Sequence, residues 1–248
     1  MRPNKQMIAA SGILLLLPFA VFAQQMAEAV VTGNAAGAFA SNYVWRGQKL
    51  SPETVIQPTV GVSYAGFTAN LWSNNDLQLN EATETDLTLT YSFALKTMAV
   101  DFGYIHYAFD GLKDTQEFYA AASLEVLLSP TVTFYYDVDE GKGGFLIASL
   151  SYSVGIAHKF SLDFGALASA NFNNAIMGVD VAGKEFTGLY HSQLSASLAI
   201  PVAKHLSVIP SIAYSTALTN DAKQAIAALS YDGDSSVAYG GVALSFDF

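Results

Sequence analysis

The chain has 248 residues, 52% of them hydrophobic and only 13% charged, with no cysteine and a net charge of −10. The missing cysteine excludes disulfides, thiolate catalysis and thiolate metal sites. The negative balance argues against nucleic acid as a partner, because a phosphate backbone is met with surplus Lys and Arg. Beyond residue 23 no stretch reaches the ~18 uninterrupted apolar residues of a membrane-crossing helix; apolar residues are instead interleaved with Ser, Thr, Gly, Asn and Tyr.

The first element is an address. Arg2 and Lys5 precede an apolar core over residues 8–22, and Val21-Phe22-Ala23 closes it with small residues at the −3 and −1 positions of a cut before Gln24. This predicts a signal peptide over 1–23, cleaved after Ala23. Ala27-Glu28-Ala29 is a weaker second site, and an uncut anchor is the alternative, for which the core is short. Residues 24–34 form a short N-terminal segment, and 35–248 are predicted to form a single barrel.

Along the rest of the chain the hydropathy period is two. Leu87, Leu89, Tyr91 and Phe93 alternate with Asp86, Thr88, Thr90 and Ser92; a helix would scatter these residues, whereas a strand puts the apolar ones on one side. The same pattern predicts strands over 35–46, 55–64, 67–73, 84–93, 98–107, 116–128, 130–138, 144–154, 160–171, 189–200, 206–216 and 236–248, about twelve, an even number as such barrels need. Short connections (65–66, 94–97, 129, 155–159, 201–205) alternate with longer ones (47–54, 74–83, 108–115, 139–143, 172–188, 217–235). Lys96, Lys159 and Lys204 mark the short turns, which hold no acid, while acids crowd the long ones. The fold expected is therefore all-β: a transmembrane antiparallel up-and-down β-barrel with tight turns at one end and loops at the other. The last strand alternates Val242, Leu244, Phe246 and Phe248 with Ala243, Ser245 and Asp247. Pairing with the first strand would remove its exposed edge, and a terminal aromatic strand of this kind resembles the assembly signal of bacterial outer-membrane proteins.

Ser41-Asn42-Tyr43-Val44-Trp45-Arg46-Gly47, with Ile56-Gln57 soon after, opens a series of motifs. It continues with a Trp-containing strand (residues 67–73), the acidic strand start Glu84-Thr85-Asp86-Leu87, then Asp101-Phe102-Gly103-Tyr104-Ile105-His106-Tyr107 and Glu117-Phe118-Tyr119. In order and spacing this resembles the TorF-like family of bacterial outer-membrane porins over residues 35–165. The resemblance implies a porin and no defined solute.

Strand parity places Asn42, Arg46, Asp86, Asp101, Glu125, Asp137 and Asp163, with Asp247, on the lumen side. For the first strand this takes Tyr43 and Trp45 to face lipid. Arg46 among inward carboxylates reads either as part of a charge-selective constriction or as a structural ion pair in the wall. The acid excess would favour cations. The function expected is passive diffusion of small polar solutes through a bacterial outer-membrane channel, cation-leaning. The alternative is a non-conducting structural or adhesive barrel acting through its loops, since Tyr119, Tyr135 and Leu167 also point inward and residues 222–229 could form a short loop helix. Outer-membrane lipid, the outer-membrane assembly machinery and the solutes are the expected partners. No cofactor or metal site is predicted, and no enzyme, because His191 and Ser192 are neighbours on a strand and face opposite ways.

Overall fold

The computed structural model describes residues 30–156 and 160–248; the expected signal peptide, its expected cut after Ala23 and residues 157–159 lie outside them. The chain runs through β1 (Thr32–Ala40), a small hairpin of β2 (Val44–Trp45) and β3 (Gln48–Lys49), and then β4 (Val55–Tyr64), β5 (Phe67–Asp76), β6 (Glu81–Leu95), β7 (Met98–Phe109), β8 (Thr115–Leu124), β9 (Thr131–Asp137), β10 (Gly144–Ile156), β11 (Phe160–Phe172), β12 (Thr187–Ala203), β13 (Leu206–Ala217) and β14 (Ser236–Asp247). A short 3₁₀ turn (Ala175–Met177) precedes β12, and the helix α1 (Asn220–Leu229) lies between β13 and β14.

Each barrel strand pairs antiparallel with its neighbour in sequence, and β14 returns to pair with β1. The result is a closed antiparallel up-and-down barrel of twelve strands, β1 and β4–β14. Closure fixes the last residues: Gly33 and Phe248 exchange both backbone hydrogen bonds, at 2.6 and 2.9 Å, so neither terminal strand leaves an open edge.

Two-residue alternation decides what each side chain meets. Leu87, Leu89, Tyr91, Phe102, Phe118 and Leu194 project outward, while Thr88, Thr90, Asp101, Tyr119 and Gln193 project inward. Val242, Leu244, Phe246 and Phe248 are 47, 51, 45 and 58% exposed, which puts the whole alternating set on the outer surface, as their parity predicts. Phe67, Tyr91, Phe93 and Phe102, with Phe67 and Tyr91 ring centroids 4.6 Å apart, form an aromatic cluster on β5–β7 near the end at which the termini lie. An outward apolar surface with aromatic rings near its edge matches a hydrocarbon layer and its interface.

Several expected boundaries move. β1 ends at Ala40, not at 46. β5 and β6 extend to Asp76 and from Glu81, so the connection expected over 74–83 shrinks to 77–80. β8 stops at Leu124, and 125–130 form the turn that was expected at residue 129 alone. Glu125 is therefore an exposed residue of a terminus-end turn, where its N–H bonds to Thr97 O at 2.8 Å, and not a lumen residue. Strand alternation holds only while the ladder lasts, and the ladder ends one residue earlier.

Candidate functional site

The interior is divided. Towards the termini it is lined by small polar side chains such as Ser63, Thr68, Ser92, Ser149 and Ser195, with Asp101 and Asp163 among them. Towards the loops it is filled, and the filling begins where β1 ends. Ser41 leaves the barrel with two hydrogen bonds to Gly240: its N–H donates to Gly240 O (2.8 Å) and its Oγ accepts from Gly240 N (3.1 Å). The chain then turns inside. Tyr43 N donates to Ser51 Oγ at 2.7 Å and Leu50 N to Tyr43 O at 2.8 Å, so β2 and β3 stand as a self-paired ribbon within the barrel.

Arg46 and Gly47 form the two-residue turn at its tip, with φ of 49° and 84°. Positive φ at both positions is the mirror-image turn that suits the twist of a hairpin. Gly47 is required twice, by its φ and because a Cβ would come within 3.1 Å of the His191 ring. For Arg46 the left-handed conformation costs roughly 1–2 kcal/mol, offset by what the side chain reaches. Its Nη1 and Nη2 donate to Glu117 Oε1 and Oε2 at 2.8 and 2.7 Å. Its Cζ lies 4.4 Å from the Trp45 ring centroid, 4.8 Å from that of Tyr135 and 4.4 Å from that of Phe145. The Tyr107 hydroxyl donates to Glu117 Oε2 at 2.8 Å. Arg46 and Glu117 are 4% and 1% exposed. A planar guanidinium with a fork of donors and stackable faces satisfies such a box; an ammonium does not.

Around the turn the ribbon meets the wall on all sides. Tyr43 packs on Trp72 (5.4 Å), Trp45 edge-on to Tyr107 (6.0 Å), and Val44 on Ala213 and Tyr239. Gln48 Nε2 donates to Tyr190 OH at 3.0 Å, and that hydroxyl donates to Met177 O at 2.8 Å. Above, α1 covers the mouth beside β10–β13. Thr219 caps it by accepting from Ala222 N at 3.2 Å, and Ala222, Ala225 and Ile226 pack against Phe145, Met177, Phe186 and Tyr190. The ribbon and this cap are tied by Lys49 Nζ to Asp232 Oδ2 at 2.8 Å. That hydrogen bond holds the Asp232 carboxyl below its ordinary range.

No family model matches the chain, and no curated protein matches it in sequence. Solved structures do match. The NanC porin aligns with a TM-score of 0.55 at 13% identity, over 86% of this chain and 98% of its own. The KdgM porin, solved in complex with disordered oligogalacturonate, gives 0.52 at 9% identity over 88% and 99%. An outer-membrane channel from Pseudomonas putida F1 gives 0.50 at 8% over 89% and 95%. The barrel fold is shared with these outer-membrane porins and channels. At these identities the likeness concerns the barrel, and the site must be read from this chain's own residues.

Among the predicted lumen residues of this barrel, Asp86, Asp101, Asp137 and Asp163 project inward from β6, β7, β9 and β11. Asp86 and Asp101 each keep a buried Oδ1 with no hydrogen-bond partner. Asp163 accepts from Ser161 Oγ at 2.9 Å. Asp137, fully buried, instead organises the β9–β10 loop: it accepts from the N–H groups of Asp139 and Gly141 (2.9 and 2.8 Å) and from Thr115 Oγ1 (2.8 Å). Asn42 lies in the bend before β2, its Nδ2 3.5 Å from Pro52 O. Arg46 is inside, but not by strand parity. Tyr43 and Trp45 are inside with it and do not face lipid, because the segment has left the barrel ladder.

Glu84 and Glu117 were not among the predicted lumen residues, although the outward Leu87 and Phe118 assign both inward by alternation. His191 and Ser192 do face opposite sides, yet His191 Nδ1 lies 2.6 Å from Ser169 Oγ on β11. Ser169 Oγ also bonds to the His191 backbone N and O (3.1 and 3.2 Å) at the β11–β12 irregularity, where both residues are buried. Among the described residues no Lys or Arg lies on a barrel strand; of the two ribbon cations Lys49 turns to Asp232 and Arg46 is set against Glu117.

Proposed function

We propose that this chain is an outer-membrane channel for passive diffusion of small polar solutes, cation-leaning, held shut at rest in its loop-end half by the ribbon of residues 44–49. What carries the reading is the asymmetry of the interior: a polar, acid-bearing vestibule runs from the terminus end to a plug whose tip is the Arg46-Gly47 turn seated on Glu117. Inward carboxylates behind low-dielectric walls concentrate cations, and Arg46 is already neutralised by Glu117. Twelve strands enclose less space than the about 16–18 of general porins, which limits passage to small solutes.

The order of motifs resembling the TorF-like porins supports the same class. So do the basic, apolar start of the chain, read as a signal cleaved after Ala23, and the outward-facing Val242–Phe248 set, read as the signal to the assembly machinery. With short turns inward and loops outward, the termini face the periplasm. The resting plug equally favours a second reading, a structural or adhesive barrel that acts through its loops and never conducts.

Current through planar bilayers separates the two. The wild-type barrel should conduct weakly or intermittently. A variant with residues 44–49 replaced by a Gly-Ser linker should carry a large steady current whose reversal potential favours potassium over chloride. A linker variant that is folded and silent supports the second reading; an anion-selective current removes the cation preference. Arg46→Ala should move conductance in the same direction as the linker.

A further inference from the structure

We propose that the wall formed by Tyr107, Glu117, Tyr135 and Phe145 is a guanidinium-binding site, filled at rest by the chain's own Arg46. A solute carrying a guanidinium group takes the place of Arg46 and thereby releases the ribbon. The proposal rests on the channel reading for its consequence, the opening of the lumen, but not for the binding event itself.

Three observations carry it. The receiving groups sit on β7, β8, β9 and β10, four adjacent strands of a closed ladder, so their positions do not depend on the ribbon. The Tyr107 hydroxyl fixes the Glu117 carboxylate from the side, leaving one oxygen wholly and the other partly to an incoming fork of N–H donors. With the Tyr135 and Phe145 rings 4.8 and 4.4 Å from the guanidinium carbon, the geometry combines a bidentate carboxylate with stacking faces, a match for a planar cation and a poor one for a tetrahedral ammonium.

The resident occupant is imperfectly held. Arg46 reaches the site only from a left-handed backbone conformation, a cost a free solute does not bear. A tethered competitor acts as an effective concentration, so a free ligand displaces it by mass action once it exceeds that level. The approach is suited to a cation as well. Asp86 on β6 and Asp101 on β7 project inward from adjacent strands, each with a buried Oδ1 that makes no hydrogen bond.

The test uses the processed, refolded barrel. The chain has two Trp, so Trp72→Phe leaves Trp45, on the ribbon, as reporter. Guanidinium chloride, far below denaturing concentrations, should change Trp45 emission saturably, whereas methylammonium chloride at equal ionic strength should not. Glu117→Gln should abolish the response. Arg46→Ala, with the tethered occupant gone, should bind guanidinium roughly tenfold more tightly or better by calorimetry. Arg46→Lys, which keeps a buried cation should the alanine variant misfold, should be displaced at lower guanidinium concentration than wild type. No saturable binding to either Arg46 variant overturns the site. Binding to them with no Trp45 response in the wild-type ribbon overturns the displacement. Neither readout needs a current, so a barrel that never conducts would cancel the channel reading and leave this one standing.

Discussion

Gly103 shows how one missing side chain shapes the wall. It faces Tyr119 across the β7–β8 ladder, and a Cβ there would come within 2.2 Å of the Tyr119 ring. The ring lies over the glycine and its hydroxyl shares a hydrogen bond with Thr90 Oγ1 at 2.6 Å. Gly103→Ala should therefore push the ring away, break that hydrogen bond and cost about 1–3 kcal/mol by overpacking, read as a lower urea midpoint for unfolding from lipid vesicles. Adding Tyr119→Ala should make the methyl group harmless, so that the double variant suffers nothing further from Gly103→Ala; strict additivity of the two costs would contradict the contact. At the same scale, the Arg46–Glu117 pair is a case in which removing one partner is worse than removing both, because the survivor stays charged and dry.

Among the elements, β2 and β3 separate local preference from tertiary placement. Tyr43-Val44-Trp45 is extended, as its residues prefer, but its partner is β3 and not a barrel strand. What diverts it is the Arg46-Gly47 turn, an X-Gly pair between residues that favour strands, together with the Ser41 bonds that end the ladder with β14. Residues 222–229, read in the sequence as a short helix, do lie within α1, and the first turn depends on its cap. Thr219→Ala should cost about 1 kcal/mol and show as faster hydrogen exchange confined to the amides of α1, with the barrel amides unchanged. Exchange that quickens throughout the barrel would mean that the cap is part of the fold's cooperative unit.

For the whole molecule, the decisive property is that neighbouring residues on one strand meet different solvents. Thr88 faces the lumen and Leu89, 44% exposed, faces outward. Leu89→Arg should destabilise the barrel in bilayers by about 2–4 kcal/mol, the cost of a cation near the midplane, while Thr88→Arg should cost under about 1 kcal/mol. Equal penalties in lipid-vesicle unfolding would deny the outward surface its apolar solvent. The contrast should vanish in neither detergent nor lipid, since both present hydrocarbon to the same side.

Alternation of apolar and polar residues was enough to determine a closed antiparallel barrel, its even strand number, the outward set that ends at Phe248, and the inward course of Asp86, Asp101, Asp137 and Asp163. Period two is a local geometric property of an extended chain, and once one face must avoid water it fixes the sidedness of every residue in the ladder. The ends of the ladders escaped it, and with them Glu125 and the segment after Ala40, because a strand stops where its partner stops. The filled loop-end half, the seat of Arg46 on Glu117 among three aromatic rings, and the meeting of Ser169 with His191 were decided by tertiary structure alone. These contacts join residues far apart in the chain, 71 positions for Arg46 and Glu117 and 142 for Gln48 and Tyr190, and they exist because the barrel's closure brings distant strands around one ribbon.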